Sequence, residues 1–239
     1  MSDWLRSLPV AHRGLHDAAS GIPENSLAAF EAAAAAGYAM ECDLQLAKDG
    51  VAMVFHDAKL ERLTQASGSL GAHSAKALRV LRLLGTDEPI PTLADLLARI
   101  DGRAPILIEL KHDVSPVGPL EEAAWRELQR YRGPYAVQSF DPGSVDWFRE
   151  RAPEALRGQV SGDWRRFREG DPPALSNAWA ALRARPQFLA WSVHRLPHWA
   201  PALARRFGLP LLSWTVRTPQ ELARARSCGA NPIFENVRP

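Results

Sequence analysis

Cysteine and long apolar runs are both scarce in this 239-residue chain. Cys42 and Cys228 lie far apart and form no Cys-x-x-Cys pair, so the sequence supports neither a disulfide framework nor a zinc–thiolate site. The alanine-rich stretch that starts at Ala28 is interrupted by Glu31 and ends at Gly37, well short of a membrane span. We therefore expect a cytosolic protein with neither a secretory signal nor a transmembrane segment.

An excess of charge of one sign is also missing. Lys and Arg total 29 and Asp and Glu total 27, which gives a formal net charge of +2 at pH 7. Nucleic-acid-binding proteins usually carry a clear basic excess, so nucleic acid is not an expected partner. The 46% of hydrophobic and 23% of charged residues are ordinary for a folded domain and exclude a disordered or collagen-like chain.

Short apolar runs rich in β-branched and aromatic residues recur along the chain, with helical stretches between them. Nine such runs are candidate strands: Leu8–His12, Tyr38–Leu46, Val51–His56, Pro105–Lys111, Tyr135–Phe140, Leu156–Ser161, Phe188–Val193, Leu209–Val216 and Pro232–Val237. The alternation predicts a parallel sheet with crossover helices. Because the glycine-rich phosphate loops of open doubly wound sheets are absent, we predict a single TIM-type (β/α)8 barrel over residues 1–239.

Nine candidate strands exceed the eight places of such a barrel. The turn Lys48–Gly50 is short enough to join two antiparallel strands, so we expect the surplus strand there. Asn25 or Ser26 is the expected N-cap of the first long helix, which should stop at Gly37.

The alternation of strands and helices stops between Asp57 and Pro91. Leucines are scattered there among glycine, serine and basic residues. We predict that residues 57–91 are a small inserted subdomain, which would lie over the C-terminal rim because it follows a strand end. A further loop and helix are expected over Glu169–Pro186.

Carboxylates interrupt two of the apolar strands. Side chains alternate along a strand with period two, so Glu41 and Asp43 share one face of their strand, and Glu109 and Lys111 share one face of theirs. Buried carboxylates are costly unless they are paired or bind a cation. Three of them side by side would make an oxygen-rich site for a hard divalent cation.

His12 and His56 each close a predicted strand at the presumed active rim. Imidazole is the side chain best suited to proton transfer near neutral pH, and a pair suggests an acid and a base. The two histidines could instead bind the metal, but the carboxylates already supply a hard oxygen set. Arg13 and Lys111 add cations that could hold an anionic oxygen, and Lys111 would also neutralise the carboxylates. Together these groups suit a phosphodiester.

A series of short motifs follows the same path along the chain: Ala11–Gly14, Pro23–Phe30, Glu41–Leu44, Asp49–Gly50, His56–Asp57, Leu60–Thr64, Ile90–Leu93, Ile108–Lys111 and Trp214–Val216. Their order and spacing resemble the glycerophosphodiester phosphodiesterase family, whose members are phosphatidylinositol-phospholipase-C-like phosphodiesterases. The resemblance extends from about Leu8 to the C-terminus. It implies a barrel with an inserted subdomain after His56 and a divalent cation, Mg²⁺ or Ca²⁺, held by Glu41, Asp43 and Glu109.

The resemblance also implies roles for the side chains around that cation. His12 and His56 would be the acid–base pair, and Arg13 and Lys111 would contact the phosphate. Trp214 would form a wall for the glycerol moiety, and Glu24 would orient Arg13. The chain departs from the family at its end, because relatives often have Thr-Asp-x-Pro where this chain has Glu235–Pro239, and often have Asn where it has Arg217.

The expected reaction is therefore hydrolysis of a small glycerophosphodiester to sn-glycerol 3-phosphate and an alcohol. One alternative is lysophospholipase D-type cleavage of lysophospholipids by the same residues. The other, from a different class, is a catalytically silent barrel that binds phosphodiesters. The intact histidine pair and the three carboxylates disfavour the silent barrel.

Overall fold

The structure is a computed structural model of the chain, and it describes residues 3–112, 116–162 and 182–239. Two stretches form compact units of their own. One is Ala11–Tyr135, and the other combines Met1–Val10 with Ala136–Pro239. The loop and helix expected over Glu169–Pro186 lie outside the described residues up to position 181.

Strands and helices alternate along the described residues. The strands are β1 (Val10–Ala11), β2 (Ala39–Leu46), β3 (Ala52–Val54), β4 (Ile106–Leu110), β5 (Tyr135–Ser139), β6 (Leu156–Ser161), β7 (Phe188–Ser192), β8 (Leu211–Val216) and β9 (Asn231–Phe234). The helices are α1 (Trp4–Ser7), α2 (Leu27–Ala35), α3 (Ala75–Leu78), α4 (Leu93–Ile100), α5 (Pro119–Leu128), α6 (Pro142–Arg151), α7 (Trp199–Arg206) and α8 (Pro219–Ser227). Every predicted strand is present.

The strand order confirms the predicted fold class. The strands form one sheet in the order β1-β9-β8-β7-β6-β5-β4-β2-β3, and β1 also pairs with β2. Eight strands therefore close into a parallel ring with helices between them, which is the TIM-type (β/α)8 barrel. The ninth strand, β3, lies outside the ring and pairs antiparallel with β2 across the Lys48–Gly50 turn, as expected.

The helix caps follow the sequence signals. Ser26 is the N-cap of α2, and its Oγ accepts a hydrogen bond from the Ala29 backbone N–H at 3.1 Å. Gly37 follows the end of α2 with a φ of +75°. Thr92 opens α4 and Thr218 opens α8, each in a reciprocal capping box with an acidic side chain three residues later.

In the unit Ala11–Tyr135, β2 is covered on both of its faces. Every residue from Ala39 to Gln45 is buried, and α2 and α5 both pack on this strand. Two-sided burial is typical of parallel strands that lie between helices and a second layer of side chains. The helices need apolar partners, so the alternation leaves the other face of β2 for Glu41, Asp43 and Gln45.

Residues 57–91 contain one turn of 3₁₀-helix at Leu70–Ala72 and the one-turn α3. Leu60, Leu70 and Leu78 are buried in one cluster with Phe55 and Ile90. The segment therefore shares a small apolar core with Met53 on β3 and with its neighbour Phe55. Its position over the C-terminal rim stays a prediction.

The other unit contains the parallel pairs β5–β6, β6–β7, β7–β8 and β8–β9. Asn231 ties its two chain ends together, because its Nδ2 donates to the backbone oxygens of Leu5 at 3.1 Å and Leu8 at 2.7 Å. Every helix in the described ranges is too short or too polar to span a bilayer.

Candidate active site

A tight turn after β1 presents the first two candidate side chains. Arg13 and Gly14 both have left-handed backbone conformations, with φ of +57° and +78°. A Cβ on residue 14 would lie 2.8 Å from the backbone carbon of Ala29, so only glycine fits. The Arg13 backbone N–H donates to Glu41 Oε2 at 2.9 Å. The sequence His12-Arg13-Gly14 is thus fixed against β2 by its backbone as well as by its side chains.

The three predicted carboxylates come together. Asp43 on β2 is in register with Glu109 on β4, and Glu41 lies two residues earlier on the same face of β2. One oxygen from each carboxylate lies within 4.8 Å of the other two, and all three residues are buried. Period-two alternation and parallel register together account for this cluster.

Burial and mutual repulsion shape the protonation of the cluster. Burial, with repulsion from Asp43 and Glu109, holds the pKa of the Glu41 carboxyl well above its usual range. Burial alone would also raise the pKa of Asp43, but Lys111, His56 and Arg13 outweigh it and hold this pKa well below its usual range. The cluster therefore holds one carboxylate that is firmly ionised and one that resists ionisation unless more positive charge is present.

The donor set fits a hard divalent cation. Glu41 Oε1 is fully buried and accepts no hydrogen bond from any residue that the structure describes. Buried acceptors are normally satisfied by a donor, water or an ion. Carboxylate oxygens are the ligands that Mg²⁺ and Ca²⁺ prefer, so Glu41, Asp43 and Glu109 could bind such an ion.

Lys111 lies directly on this cluster. Its Nζ is 2.9 Å from Asp43 Oδ1 and also contacts a Glu109 oxygen, and its side chain is only 4% exposed. In this position the ammonium neutralises part of the charge of the cluster, which is one of the two roles that the sequence suggested. Contact with a phosphate stays a prediction.

Arg13 reaches from the turn to two carboxylates. Its Nη1 donates to Glu24 Oε1 at 2.7 Å, and its Nε lies 3.3 Å from Asp43 Oδ2. Burial works to lower the pKa of Arg13, but Asp43, Glu24 and Glu41 outweigh it and raise this pKa. The guanidinium is therefore a permanent cation beside the cluster, and Glu24 is in contact with it.

The two candidate histidines have different partners. His12 Nε2 lies 4.0 Å from Glu41 Oε2. His56 Nδ1 lies 2.6 Å from Asp57 Oδ1, and the His56 backbone oxygen accepts from Gln45 Nε2 at 3.0 Å. Both imidazoles are close enough to Asp43 to lower its pKa. Their roles in proton transfer stay predictions.

Sequence reasoning missed three side chains that hold this site. Asn25 is not the helix cap but a support for β2: its Nδ2 donates to Asp43 Oδ2 at 2.9 Å. Asp57 holds His56, and Arg62 joins Asp57 to Glu24. Both Asp57 and Arg62 lie in motifs that carry the family resemblance, which was the signal that could have drawn attention to them.

Comparison with known proteins decides the family. The profile of the glycerophosphoryl diester phosphodiesterase family matches residues 12–237. The chain belongs to this family. Members that carry the family name are phosphoric diester hydrolases, and the match covers every candidate residue from His12 to Trp214.

Individual relatives in this phosphodiesterase family match over nearly the whole chain. YhdW of Bacillus subtilis is 31% identical, over 94% of this chain and 92% of its own length. The glycerophosphodiester phosphodiesterase of the same organism is 27% identical, over 97% of this chain and 84% of its own length. A solved phosphodiesterase of Oleispira antarctica, in complex with the product sn-glycerol-3-phosphate, has the same fold, with a TM-score of 0.81 at 22% identity over 95% and 93% of the two chains.

Trp214 belongs to the other compact unit of the phosphodiesterase chain. It lies on β8, where its ring meets Phe140 edge-on with the centroids 5.3 Å apart. Its role as a wall for the glycerol moiety stays a prediction. In the same unit the two departures from the family pattern pair with each other, since Arg217 Nε donates to Glu235 Oε1 at 2.6 Å.

Proposed function

We propose that this chain hydrolyses glycerophosphodiesters to sn-glycerol 3-phosphate and an alcohol in a reaction that depends on a divalent cation. The observation that carries the proposal is the buried cluster of Glu41, Asp43 and Glu109 beside His12 and Arg13, in a chain of this family. The product bound to the Oleispira antarctica enzyme of the same fold supports the proposed product.

Glu41, Asp43 and Glu109 would hold the cation, for which we propose Mg²⁺ or Ca²⁺ because all three donors are hard oxygens. When bound, the cation supplies Lewis-acid polarisation of the phosphoryl group and offsets the charge that develops there. Asn25 would orient one of these ligands, because its hydrogen bond to Asp43 Oδ2 fixes the plane of that carboxylate.

His12 and His56 carry out the proton transfers in this proposal. One imidazole removes the proton from the nucleophile, which is either the glycerol 2-hydroxyl or water. The other gives a proton to the alkoxide as its bond to phosphorus breaks. If the 2-hydroxyl attacks, a cyclic phosphate forms, and water then opens it by the same two imidazoles with their roles exchanged.

Arg13 and Lys111 would hold the non-bridging phosphate oxygens. Arg13 is suited to this because Glu24 and Asp43 already fix its guanidinium in place. Lys111 would share its charge between the carboxylates and the phosphate. Trp214 would pack against the glycerol carbons.

We also propose that the protein acts in the cytosol on a small glycerophosphodiester, without a nucleic-acid partner. Cys42 and Cys228 are both unpaired. Cys42 is buried, and burial together with the neighbouring carboxylates Glu41 and Asp43 raises its pKa, so it stays a thiol. Reduced cysteines are typical of the cytosol.

The experiment measures sn-glycerol 3-phosphate released from glycerophosphocholine, glycerophosphoethanolamine and glycerophosphoglycerol with Mg²⁺, Ca²⁺, Mn²⁺ or EDTA. Glu41→Ala tests the cluster, and Glu31→Gln, on an exposed carboxylate, is the matched control. We expect cation-dependent turnover that Glu41→Ala abolishes and Glu31→Gln keeps. If the folded protein turned over none of the three, the glycerol specificity would be wrong. Cleavage of lysophosphatidylcholine would then favour the lysophospholipase D alternative, and binding without turnover would favour a silent barrel.

A further inference from the structure

Arg62 uses its whole guanidinium on two carboxylates. Its Nη1 and Nη2 donate to Glu24 Oε2 and Oε1 at 2.9 and 2.8 Å, and its Nε and Nη2 donate to Asp57 Oδ2 and Oδ1 at 2.5 and 3.1 Å. Only a planar fork can serve two carboxylates in this way, because the lysine ammonium is a single point of charge.

Each of these carboxylates has a second partner in the active site. Glu24 Oε1 accepts from Arg13 Nη1 at 2.7 Å, and Asp57 Oδ1 lies 2.6 Å from His56 Nδ1. The first four side chains thus alternate in charge from Arg13 through Glu24 and Arg62 to Asp57, and His56 follows as the fifth member of the series. We call this series the charge chain. Its two ends, Arg13 and His56, are a proposed phosphate contact and a proposed proton-transfer group.

The backbone that carries Arg62 is anchored. Leu60 and Thr64 flank it and are both buried, and the Thr64 backbone N–H and Oγ1 both donate to the Leu60 carbonyl, at 3.0 and 2.9 Å. The side chain of Arg62 itself is 44% exposed. The anchored backbone fixes the position from which the exposed Arg62 side chain reaches both Glu24 and Asp57.

We propose that Arg62 is a positioning residue that fixes Arg13 and His56 at the same time, through Glu24 and Asp57. This inference rests on the proposed function of the same site. In the charge chain the ionised Asp57 accepts the proton of His56 Nδ1, which selects the Nδ1–H tautomer and leaves Nε2 as the nitrogen for proton transfer. Loss of Arg62 would release Asp57 and Glu24 together.

The ionisation of both carboxylates agrees with this role. Burial would raise the pKa of Asp57, but hydrogen bonds from Arg62 and His56 outweigh it and lower this pKa. Burial likewise would raise the pKa of Glu24, but Arg62 and Arg13 lower it. Both groups therefore stay charged at neutral pH.

The same unit offers a matched control. Arg103 donates from its two Nη atoms to both oxygens of Glu31, at 3.0 and 2.7 Å, and its side chain is 49% exposed. This pair has the geometry of the Arg62–Glu24 pair and a similarly exposed arginine, but the other hydrogen bonds of Arg103 go to the backbone oxygens of Arg99 and Ile100 in α4. Arg103→Gln removes an arginine–glutamate pair and leaves the charge chain intact.

The test compares the full-length proteins Arg62→Gln, Arg62→Lys, Asp57→Asn and Arg103→Gln on the best glycerophosphodiester found for the wild type. We expect Arg62→Gln to lower kcat by about 10- to 100-fold, with a smaller change in KM, and Arg62→Lys to recover only part of the loss. Arg103→Gln should stay within about twofold of the wild type. The double variant Arg62→Gln/Asp57→Asn should lose little more than Arg62→Gln alone, since both changes break one chain.

A spectroscopic readout separates positioning from a general loss of stability. Side-chain ¹⁵N NMR, assigned with His56→Asn, should show the Nδ1–H tautomer of His56 in the wild type and Arg103→Gln, and a mixture of tautomers in Arg62→Gln. An unchanged tautomer together with kcat within about twofold of the wild type would overturn the proposal, in Arg62→Gln or, if that variant does not fold, in Arg62→Lys. If the wild type hydrolyses no glycerophosphodiester, the proposed function fails, and the NMR comparison still decides whether Arg62 positions His56.

Discussion

Two arginine–glutamate pairs in residues 11–135 have nearly the same geometry and different surroundings. Arg62 bonds Glu24 at 2.9 and 2.8 Å, and Arg103 bonds Glu31 at 3.0 and 2.7 Å. The Glu24 side chain is 14% exposed, whereas that of Glu31 is 33% exposed. Glu24 also accepts from Arg13, while the further bonds of Arg103 end on nearby backbone oxygens.

The difference shows that the geometry of an ion pair does not predict how large the effect of removing it will be. Exposed pairs typically contribute about 0–1 kcal/mol to stability, because solvent screens them and both side chains must be ordered. A carboxylate that is partly desolvated and shared by two guanidinium groups is harder to replace, since its loss removes a hydrogen-bond acceptor from both of them. The depth of burial and the number of partners should therefore order the effects of substitution, from the metal cluster to the surface.

The largest effect is expected for the most buried carboxylates. Glu41→Gln should lower kcat/KM by about 10³-fold or more, because it replaces one carboxylate oxygen by an amide nitrogen and removes the negative charge. It should also abolish the rise in Tm that saturating Mg²⁺ or Ca²⁺ produces in the wild type. At a cation concentration of 100 times Kd, binding adds about 2.7 kcal/mol to the free energy of unfolding. Differential scanning calorimetry with and without EDTA measures this shift. Glu31→Gln should keep it, and a shift that persisted in Glu41→Gln would mean that the cation binds elsewhere.

The turn that presents Arg13 gives the next largest effect. Gly14→Ala should lower the free energy of unfolding by roughly 2–4 kcal/mol, because the new Cβ meets the Ala29 backbone in a left-handed conformation. Gly37→Ala is the matched control, since Gly37 also has positive φ, at +75°, but has open space around its Cβ position. Urea denaturation of both variants checks this. Equal losses would show that backbone conformation alone, without the close approach to α2, sets the cost.

Local patterns predicted the parts of this molecule that depend on local rules. Period two placed Glu41 and Asp43 on one face, and the short turn at Lys48–Gly50 predicted the antiparallel β3. The position of Glu109 beside Asp43 needed one further assumption, that the two strands are parallel neighbours, and the barrel supplies it.

The charge chain could not be predicted in the same way. The bond between Glu24 and Arg62 joins residues 38 positions apart, and it depends on the path of residues 57–91 and on the rotamers of two long side chains. Neither is encoded in a window of sequence. The sequence left Asn25 and Ser26 as alternative caps of α2, because no propensity distinguishes them, and Ser26 is the cap. Asn25 instead has a φ of +56° and donates from its Nδ2 to Asp43.

A smaller, pH-dependent effect is expected at Glu24. Arg62 and Arg13 hold its pKa below the usual 4.5 in spite of burial. The charged form therefore stabilises the fold at pH values above about 4.5, and this stabilisation is lost as the pH falls through the lowered pKa. Glu24→Gln should cost about 1–2 kcal/mol at pH 7 and little below the lowered pKa, by urea denaturation across pH. The pKa of Glu31 is also lowered, by its hydrogen bonds from Arg103, but its carboxylate is more exposed, so Glu31→Gln should cost less than about 1 kcal/mol at pH 7. Equal pH dependence in the two variants would contradict the ranking by burial.

The smallest effect is expected at a third arginine–glutamate pair, Arg217–Glu235, which joins the two departures from the family pattern. Arg217 is 46% exposed, so Arg217→Asn should change the free energy of unfolding by less than about 1 kcal/mol. Any change should shrink between about 0.05 and 0.5 M NaCl, because salt screens exposed charges. Urea denaturation at both salt concentrations checks this. A loss that exceeds the cost of Glu24→Gln and resists salt would place Arg217 with the buried groups, since the side chain of its partner Glu235 is only 15% exposed.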